Sequence, residues 1–299
     1  MALFPEARAA VEAAAADPPV WTEGYDVVAA RDATRTEALT EPAEDVAEVV
    51  DLDADGVRVR LYRPGDAAPG LVVHLHGGGF VFHDVDVHDR VCRRFANRLG
   101  LAVLSVDYRL APEHRFPAAP DDVDTVLAWL DRDGVAIGSG GPTHVHGDSA
   151  GGNLALVAAL RHPGRFDAAV LHYPFLDPTA GFASYELGAA SAFDPREAAW
   201  YWQQYAAGPN DLTDPDLAPL LSDRLGTLPP VLITSAEHDP LRDEDEHLAA
   251  LVAAQGGQVT AVRYLGQVHG FWRDPASSAA QELMRQTCAY ITGQRTGAH

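Results

Sequence analysis

Residues 143–162 of this 299-residue chain are THVHGDSAGGNLALVAALRH, a short strand that passes through a glycine-rich turn into an apolar helix. The turn GDSAG at 147–151 has the pattern G-x-S-x-G, which in a strand–turn–helix context exposes its serine at the top of a sheet. Because so sharp a turn crowds the backbone, a side chain at Gly147 or Gly151 would collide with neighbouring chain. We therefore predict that Ser149 is a nucleophile at a helix N-terminus, where the dipole favours developing negative charge.

Strands and helices alternate on both sides of this turn, after an opening hairpin around Asp53-Ala54-Asp55-Gly56. Such alternation predicts an α/β fold with a mostly parallel eight-stranded sheet, helices on both faces and antiparallel strands at one edge. The predicted strands are the two arms of the hairpin in 46–64, followed by LVVHLH (71–76), LAVLSVDYR (101–109), THVHGD (143–148), FDAAVLHYP (166–174), PPVLITSAE (229–237) and QVTAVRYL (258–265).

Two segments fall outside this alternation. Residues 1–45 contain two helical patterns, and we assign them to N-terminal cap helices that precede a catalytic domain at 46–299. A segment at about 179–215 interrupts that domain with helical pieces rich in aromatic residues, which indicates a lid. The aromatic side chains could equally pack on the sheet, and the two roles are compatible. They are Phe182, Tyr185, Phe193, Trp200, Tyr201, Trp202 and Tyr205.

A glycine run, His76-Gly77-Gly78-Gly79, ends the strand at 71–76. Successive glycines leave main-chain N–H groups free to point at a ligand, so the run is suited to an oxyanion hole. We predict that the N–H groups of Gly77 and Gly78, with that of Ala150 after the nucleophile, hold the oxyanion.

A nucleophilic serine needs a histidine base and an orienting carboxylate, which follow it in the order acid, then histidine, in this type of fold. His269 lies in the loop after the last predicted strand and is the preferred base over His238 and His247. Asp239 lies just past the preceding strand, and Glu237 is the second choice of acid.

Composition excludes several other classes of protein. The formal net charge is −21, with 43 acidic residues against 22 basic ones, so we expect no nucleic-acid partner and no anionic membrane surface. The first residues lack a basic start with an uninterrupted apolar run, which predicts a cytoplasmic protein. The two cysteines, Cys92 and Cys288, are too few for a disulfide framework and are interpreted as ordinary thiols.

Taken together, the motifs resemble those of the bacterial hormone-sensitive-lipase-like esterases of the α/β-hydrolase fold. The resemblance covers most of the chain and is carried by His76-Gly77-Gly78-Gly79, residues 107–114 (DYRLAPEH), residues 147–153 (GDSAGGN), Asp239-Pro240-Leu241 and His269-Gly270-Phe271. It implies an α/β-hydrolase core with a helical cap and hydrolysis of small-molecule carboxylic esters with short to medium acyl chains, without metal or cofactor. It also implies supporting roles for His76, Gly79 and Asp148.

The resemblance leaves alternatives open. The same triad could hydrolyse amides or lactones, and plant gibberellin receptors use this fold without catalysis, although they lack the catalytic histidine. Family members often dimerise through the last strand and helix, here near residues 258–292, so a homodimer is a further expectation.

Histidines depart from the family pattern at two positions, His83 and His146, where small or apolar residues are expected. His74-x-His76 and His144-x-His146 lie on strands that this fold places side by side, and such pairs can bind a metal. Because no carboxylate or cysteine obviously completes a site, we interpret them as core histidines hydrogen-bonded to their neighbours and expect no metal.

Overall fold

An eight-stranded sheet forms the centre of the molecule in a computed structural model, which describes residues 2–134, 140–190 and 193–294. The strand order is β1-β2-β4-β3-β5-β6-β7-β8. The strands are β1 Glu48–Ala54, β2 Val57–Arg63, β3 Leu71–Leu75, β4 Ala102–Val106, β5 Thr143–Asp148, β6 Ala168–His172, β7 Val231–His238 and β8 Val259–Val268.

The pairings confirm the predicted mostly parallel sheet. The pairs β1–β2 and β2–β4 are antiparallel, and every pair from β4–β3 to β7–β8 is parallel. The hairpin lies at the β1 edge of the sheet, and its strands are antiparallel because a two-residue turn, Asp55-Gly56, can only join antiparallel neighbours. The carboxyl ends of the central strands therefore meet at one edge of the sheet, where ligand sites form in folds of this type.

Helices cover both faces of the sheet, as successive strand residues point to opposite sides. Val72 belongs to the same buried cluster as residues of α3 and α8, whereas its neighbour Val73 belongs to the cluster that contains residues of α4, α5 and α7. The helices are α1 Pro5–Ala14, α2 Val27–Thr40, α3 Asp89–Leu99, α4 Ala118–Asp133, α5 Ala150–Arg161, α6 Pro195–Tyr205, α7 Arg242–Ala254 and α8 Ser278–Gln294. None of the helices within the described ranges is both long enough and apolar enough to cross a bilayer.

The N-terminal helices contact the carboxyl edge of the sheet through Arg31 on α2. Its guanidinium donates to the carbonyl oxygens of Val81 at 2.7 Å and Ala111 at 2.6 Å, and pairs with Glu113 at 2.9 Å. The division of the chain at residue 45 stays a prediction. The outermost positions of the predicted domains, Met1 and 295–299, lie outside the described residues.

The aromatic insertion contains a 3₁₀ segment at Ala183–Ala190 and then α6; residues 191 and 192 lie outside the described ranges. Part of its aromatic set packs on the core, where Tyr205 stacks on Phe80 with ring centroids 3.8 Å apart. Another part faces the cavity above Ser149, including Phe193 and Tyr201. Aromatic residues of the insertion therefore both pack on the core and line the cavity, and its role as a lid stays a prediction.

Candidate active site

Ser149 lies in the tight turn between β5 and α5, with φ 56° and ψ −122°. A Cβ on Gly147 would lie 2.0 Å from the carbonyl oxygen of Gly151, and one on Gly151 would lie 2.0 Å from that of Leu75. No alanine fits at either position without moving backbone. The turn therefore holds the serine in a left-handed conformation that few side chains adopt, with its hydroxyl at the N-terminus of α5.

A hydrogen-bonded chain runs from Asp239 through His269 to Ser149. Asp239 follows β7 and His269 follows β8, so both reach the serine from the carboxyl ends of their strands. The Nδ1 atom of His269 lies 2.7 Å from Oδ2 of Asp239, and its Nε2 atom lies 2.9 Å from Oγ of Ser149. Because an ionised carboxylate only accepts, Nδ1–H donates to Asp239, and Nε2 accepts the serine hydroxyl proton.

The other downstream candidates lie outside this chain of hydrogen bonds. Oε2 of Glu237 accepts a hydrogen bond from the backbone N–H of Gly266 at 2.7 Å. His238 Nε2 is 3.6 Å from the same carboxylate oxygen, and the His247 ring on α7 contacts Phe182 with centroids 5.4 Å apart. The structure therefore brings together the first choice of base and the first choice of acid.

The glycine loop after β3 differs from the prediction at its first residue. The N–H of Gly77 donates to Oδ1 of Asp148 at 3.2 Å, so it is turned away from the space above Ser149. Gly78 and Gly79 line that space instead. Among the described residues, their N–H groups and that of Ala150, the first of α5, have no protein acceptor. The assignment of Gly77 as an oxyanion donor is wrong, and Gly79 takes its place among the available donors.

His76 and Tyr108 support the glycine loop from below. The His76 ring stacks on Tyr108 with centroids 4.2 Å apart, and its Nδ1–H donates to the carbonyl of Gly77 at 2.8 Å. The Tyr108 hydroxyl donates to the His76 carbonyl at 2.6 Å. Burial lowers the pKa of His76, which favours a neutral imidazole that supports the glycine loop.

The cavity above Ser149 has a volume of about 270 Å³ and contains charged side chains that the sequence did not identify. Glu197 on α6 accepts a hydrogen bond from the Tyr201 hydroxyl at 2.9 Å, and burial raises the pKa of its carboxyl. Arg273, four residues after His269, also lines the cavity. Only the position of Glu197 in the aromatic insertion could have signalled its place in the site.

Of the histidines singled out from the sequence, His74, His144 and His146 are buried within the sheet, and His83 is half-buried. His74 faces His146 across the β3–β5 pair, with their Nδ1 atoms 2.8 Å apart, which is the neighbour bonding expected of core histidines. His144 is buried two residues earlier on β5, and His83 lines the cavity. Burial lowers the pKa of His74, His83 and His146 well below the ordinary value.

Comparison with known proteins gives a matching family model, similar enzymes and similar solved structures. A family model described as alpha/beta hydrolase fold matches residues 72–273. The chain is 40% identical over 269 residues to the carboxylic ester hydrolase LipN of Mycobacterium tuberculosis, covering 82% of this chain and 70% of that one. It is 35% identical to an ethyl acetate hydrolase of Pseudomonas putida, covering 74% and 73% of the two chains. A hyperthermophilic esterase from Pyrobaculum calidifontis superposes with a TM-score of 0.87 at 36% identity, covering 98% and 99%.

The chain belongs to the α/β-hydrolase family, in its hormone-sensitive-lipase-like branch, as the sequence motifs indicated. Within that family it is an enzyme of the carboxylic ester hydrolase class.

Proposed function

We propose that this protein hydrolyses small-molecule carboxylic esters by two-step acyl transfer, with Ser149 as nucleophile, His269 as general base and acid, and Asp239 as orienting carboxylate. The observation that carries the proposal is the chain of two hydrogen bonds, 2.7 Å and 2.9 Å long, from Asp239 to the serine hydroxyl. His269 takes the serine proton as Oγ attacks the ester carbonyl, and then gives it to the departing alcohol. A water molecule repeats the sequence on the acyl-enzyme and releases the acid.

The oxyanion is held by the N–H groups of Gly78, Gly79 and Ala150. Two observations support this choice: Gly78 and Gly79 line the cavity above Ser149, and Ala150 directly follows the nucleophile at the first position of α5. Each such donor typically contributes about 10²–10³ in rate. Gly77 acts indirectly, because its hydrogen bond to Asp148 fixes the start of the loop.

Short and medium acyl chains suit the cavity best. Its volume of about 270 Å³ is modest, and Phe193 stacks on the His269 ring with centroids 4.8 Å apart, which narrows the space beside the base. We expect p-nitrophenyl acetate and butyrate to be hydrolysed well and the palmitate ester poorly. A homodimer through residues 258–292 and a cytoplasmic location stay predictions.

Replacement of the nucleophile tests the proposal. Ser149→Ala should abolish hydrolysis of p-nitrophenyl butyrate and labelling by a fluorophosphonate probe, whereas Ser278→Ala, at an exposed serine, should retain both. Undiminished turnover by pure Ser149→Ala protein would refute the assignment. Parallel assays with an anilide and a lactone separate ester hydrolysis from the amide and lactone alternatives, and absent labelling of wild type would favour a non-catalytic receptor.

A further inference from the structure

Three side chains converge behind the nucleophile turn: His74 on β3, His88 before α3, and Asp148 at the end of β5. Nε2 of His74 lies 3.3 Å from Nδ1 of His88, which lies 3.8 Å from Oδ1 of Asp148. One ligand atom from each residue falls within 4.8 Å of the other two. His74 and His88 are 0% exposed and Asp148 is 3% exposed, so the three atoms face one another in the interior.

The spacing suits a metal ion at the centre of the triangle. Because the third side of the triangle is no longer than 4.8 Å, a point equidistant from the three atoms lies at most about 2.4 Å from each, against about 2.0–2.2 Å for nitrogen and carboxylate ligands of zinc. A contraction of a few tenths of an ångström would close the site. Two imidazoles and one carboxylate form a donor set found in zinc and non-haem iron centres, which leave further positions open for water.

His146 prepares His74 to act as a ligand. The two Nδ1 atoms are 2.8 Å apart, so one ring must donate its proton to the other. When His74 is the donor, its Nε2 atom carries a lone pair directed at His88. Metal-binding histidines almost always donate their second ring N–H to a neighbour in this way, which fixes the tautomer and the ring orientation.

Asp148 is a buried carboxylate with weak compensation. It accepts the Gly77 N–H at 3.2 Å, and within the described part of the chain its one ion-pair contact inside 4.0 Å is with His88. A bound cation would supply the countercharge that this position lacks.

Asp148 connects the triangle with the active-site side of the sheet. Asp148 lines the cavity above Ser149 and also forms one corner of the buried triangle. Its carboxylate is therefore shared by the two sites.

We propose that His74, His88 and Asp148 bind one divalent transition-metal ion, Zn²⁺ or a close chemical relative. The ion would join three segments that are distant in sequence: the central strand β3, the start of α3 and the turn that carries the nucleophile. Its role would be to fix Asp148, and with it the start of the glycine loop, while the reacting atoms remain those of Ser149 and His269.

Metal content and spectroscopy test this site without reference to catalysis. Untagged wild-type protein is produced in zinc-supplemented medium, dialysed against metal-free buffer and measured by inductively coupled plasma mass spectrometry. We expect about one zinc per chain in wild type and a loss of tenfold or more in His88→Gln. The matched control is His172→Gln, which alters a buried histidine on β6 outside the triangle.

Cobalt substitution of the wild-type protein tests the site even if His88→Gln does not fold. Wild type grown with Co²⁺ should show the intense visible absorption of a four- or five-coordinate site. Full zinc content in folded His88→Gln, or metal-free wild type after both growth and refolding with zinc, would overturn the proposal. A pale octahedral cobalt spectrum would overturn it as well, since that spectrum indicates only surface-bound ion.

Discussion

Asp239→Asn is the change that most directly tests how the base is oriented. Oδ1 of Asp239 accepts the backbone N–H of Leu241 at 2.9 Å, and Oδ2 accepts the Nδ1–H of His269 at 2.7 Å. The residue is 3% exposed, so water cannot replace either bond. An asparagine has one oxygen and one NH₂ group and cannot accept from both donors.

Each orientation of the amide carries a cost. With NH₂ toward His269, the imidazole must carry its proton on Nε2, and that atom can no longer accept the proton of Ser149. With NH₂ toward Leu241, a buried N–H loses its acceptor, at about 1–3 kcal/mol, which reduces the competent orientation roughly 10- to 100-fold. The imidazolium formed during attack also loses its anionic partner, which costs roughly a further 100-fold.

We therefore expect kcat/KM on p-nitrophenyl butyrate to fall by about 10³–10⁴, close to the loss typical of Ser-His-Asp triads. The matched control is Glu237→Gln, because Glu237 is a carboxylate two residues away whose Oε2 binds Gly266 instead. That variant should stay within about threefold of wild type, and thermal unfolding should show both variants folded. A loss below tenfold in Asp239→Asn, or an equal loss in the control, would refute the orientation argument.

Three further changes test the framework around the site. Gly151→Ala should lower the free energy of unfolding, measured by urea titration, by about 3 kcal/mol or more, because its Cβ would lie 2.0 Å from the carbonyl oxygen of Leu75. The control Gly140→Ala, at a position with open space around it, should leave the free energy of unfolding nearly unchanged. Burial lowers the pKa of His172 to about 3, so between pH 6.5 and 3 the unfolded state binds a proton that the folded state excludes. The free energy of unfolding therefore falls as pH falls through this range. His172→Gln should make the slope of the free energy of unfolding against pH shallower by about 1.4 kcal/mol per pH unit. Arg31→Ala removes two donations to backbone carbonyls and should lower stability by about 2–3 kcal/mol and expose α2 to limited proteolysis; unchanged cleavage would contradict its anchoring role.

The parts of the site that sequence predicted are those fixed by local geometry and chain order. Gly147 and Gly151 indicate the turn in the sequence because no residue with a Cβ fits at either position, and the turn fixes the position of Ser149. Asp239 and His269 follow the last two strands, and parallel topology brings strand ends to one edge whatever the helices between them do. Fold and triad candidates therefore depended little on detailed packing.

The assignment of Gly77 failed because adjacent glycines carry no side-chain pattern that distinguishes their N–H directions. The choice is made by Asp148, on a different strand, whose buried carboxylate takes the first N–H of the run. Glu197 escaped notice for a similar reason, since its burial depends on where α6 lies over the cavity. Contacts between distant segments decide both cases.

The buried histidines show most clearly what pairwise sequence reasoning omits. The two H-x-H pairs suggested that any ligand would come from neighbouring strands, and the lack of an obvious carboxylate favoured plain core residues. In the fold, His146 serves as the hydrogen-bond partner of His74, while the converging groups come from the segment before α3 and from the nucleophile turn itself. An imidazole and a carboxylate without strong partners are costly in an apolar interior. An ion at their centre would offset that cost, and the same aspartate would then link the metal, the glycine loop and the serine.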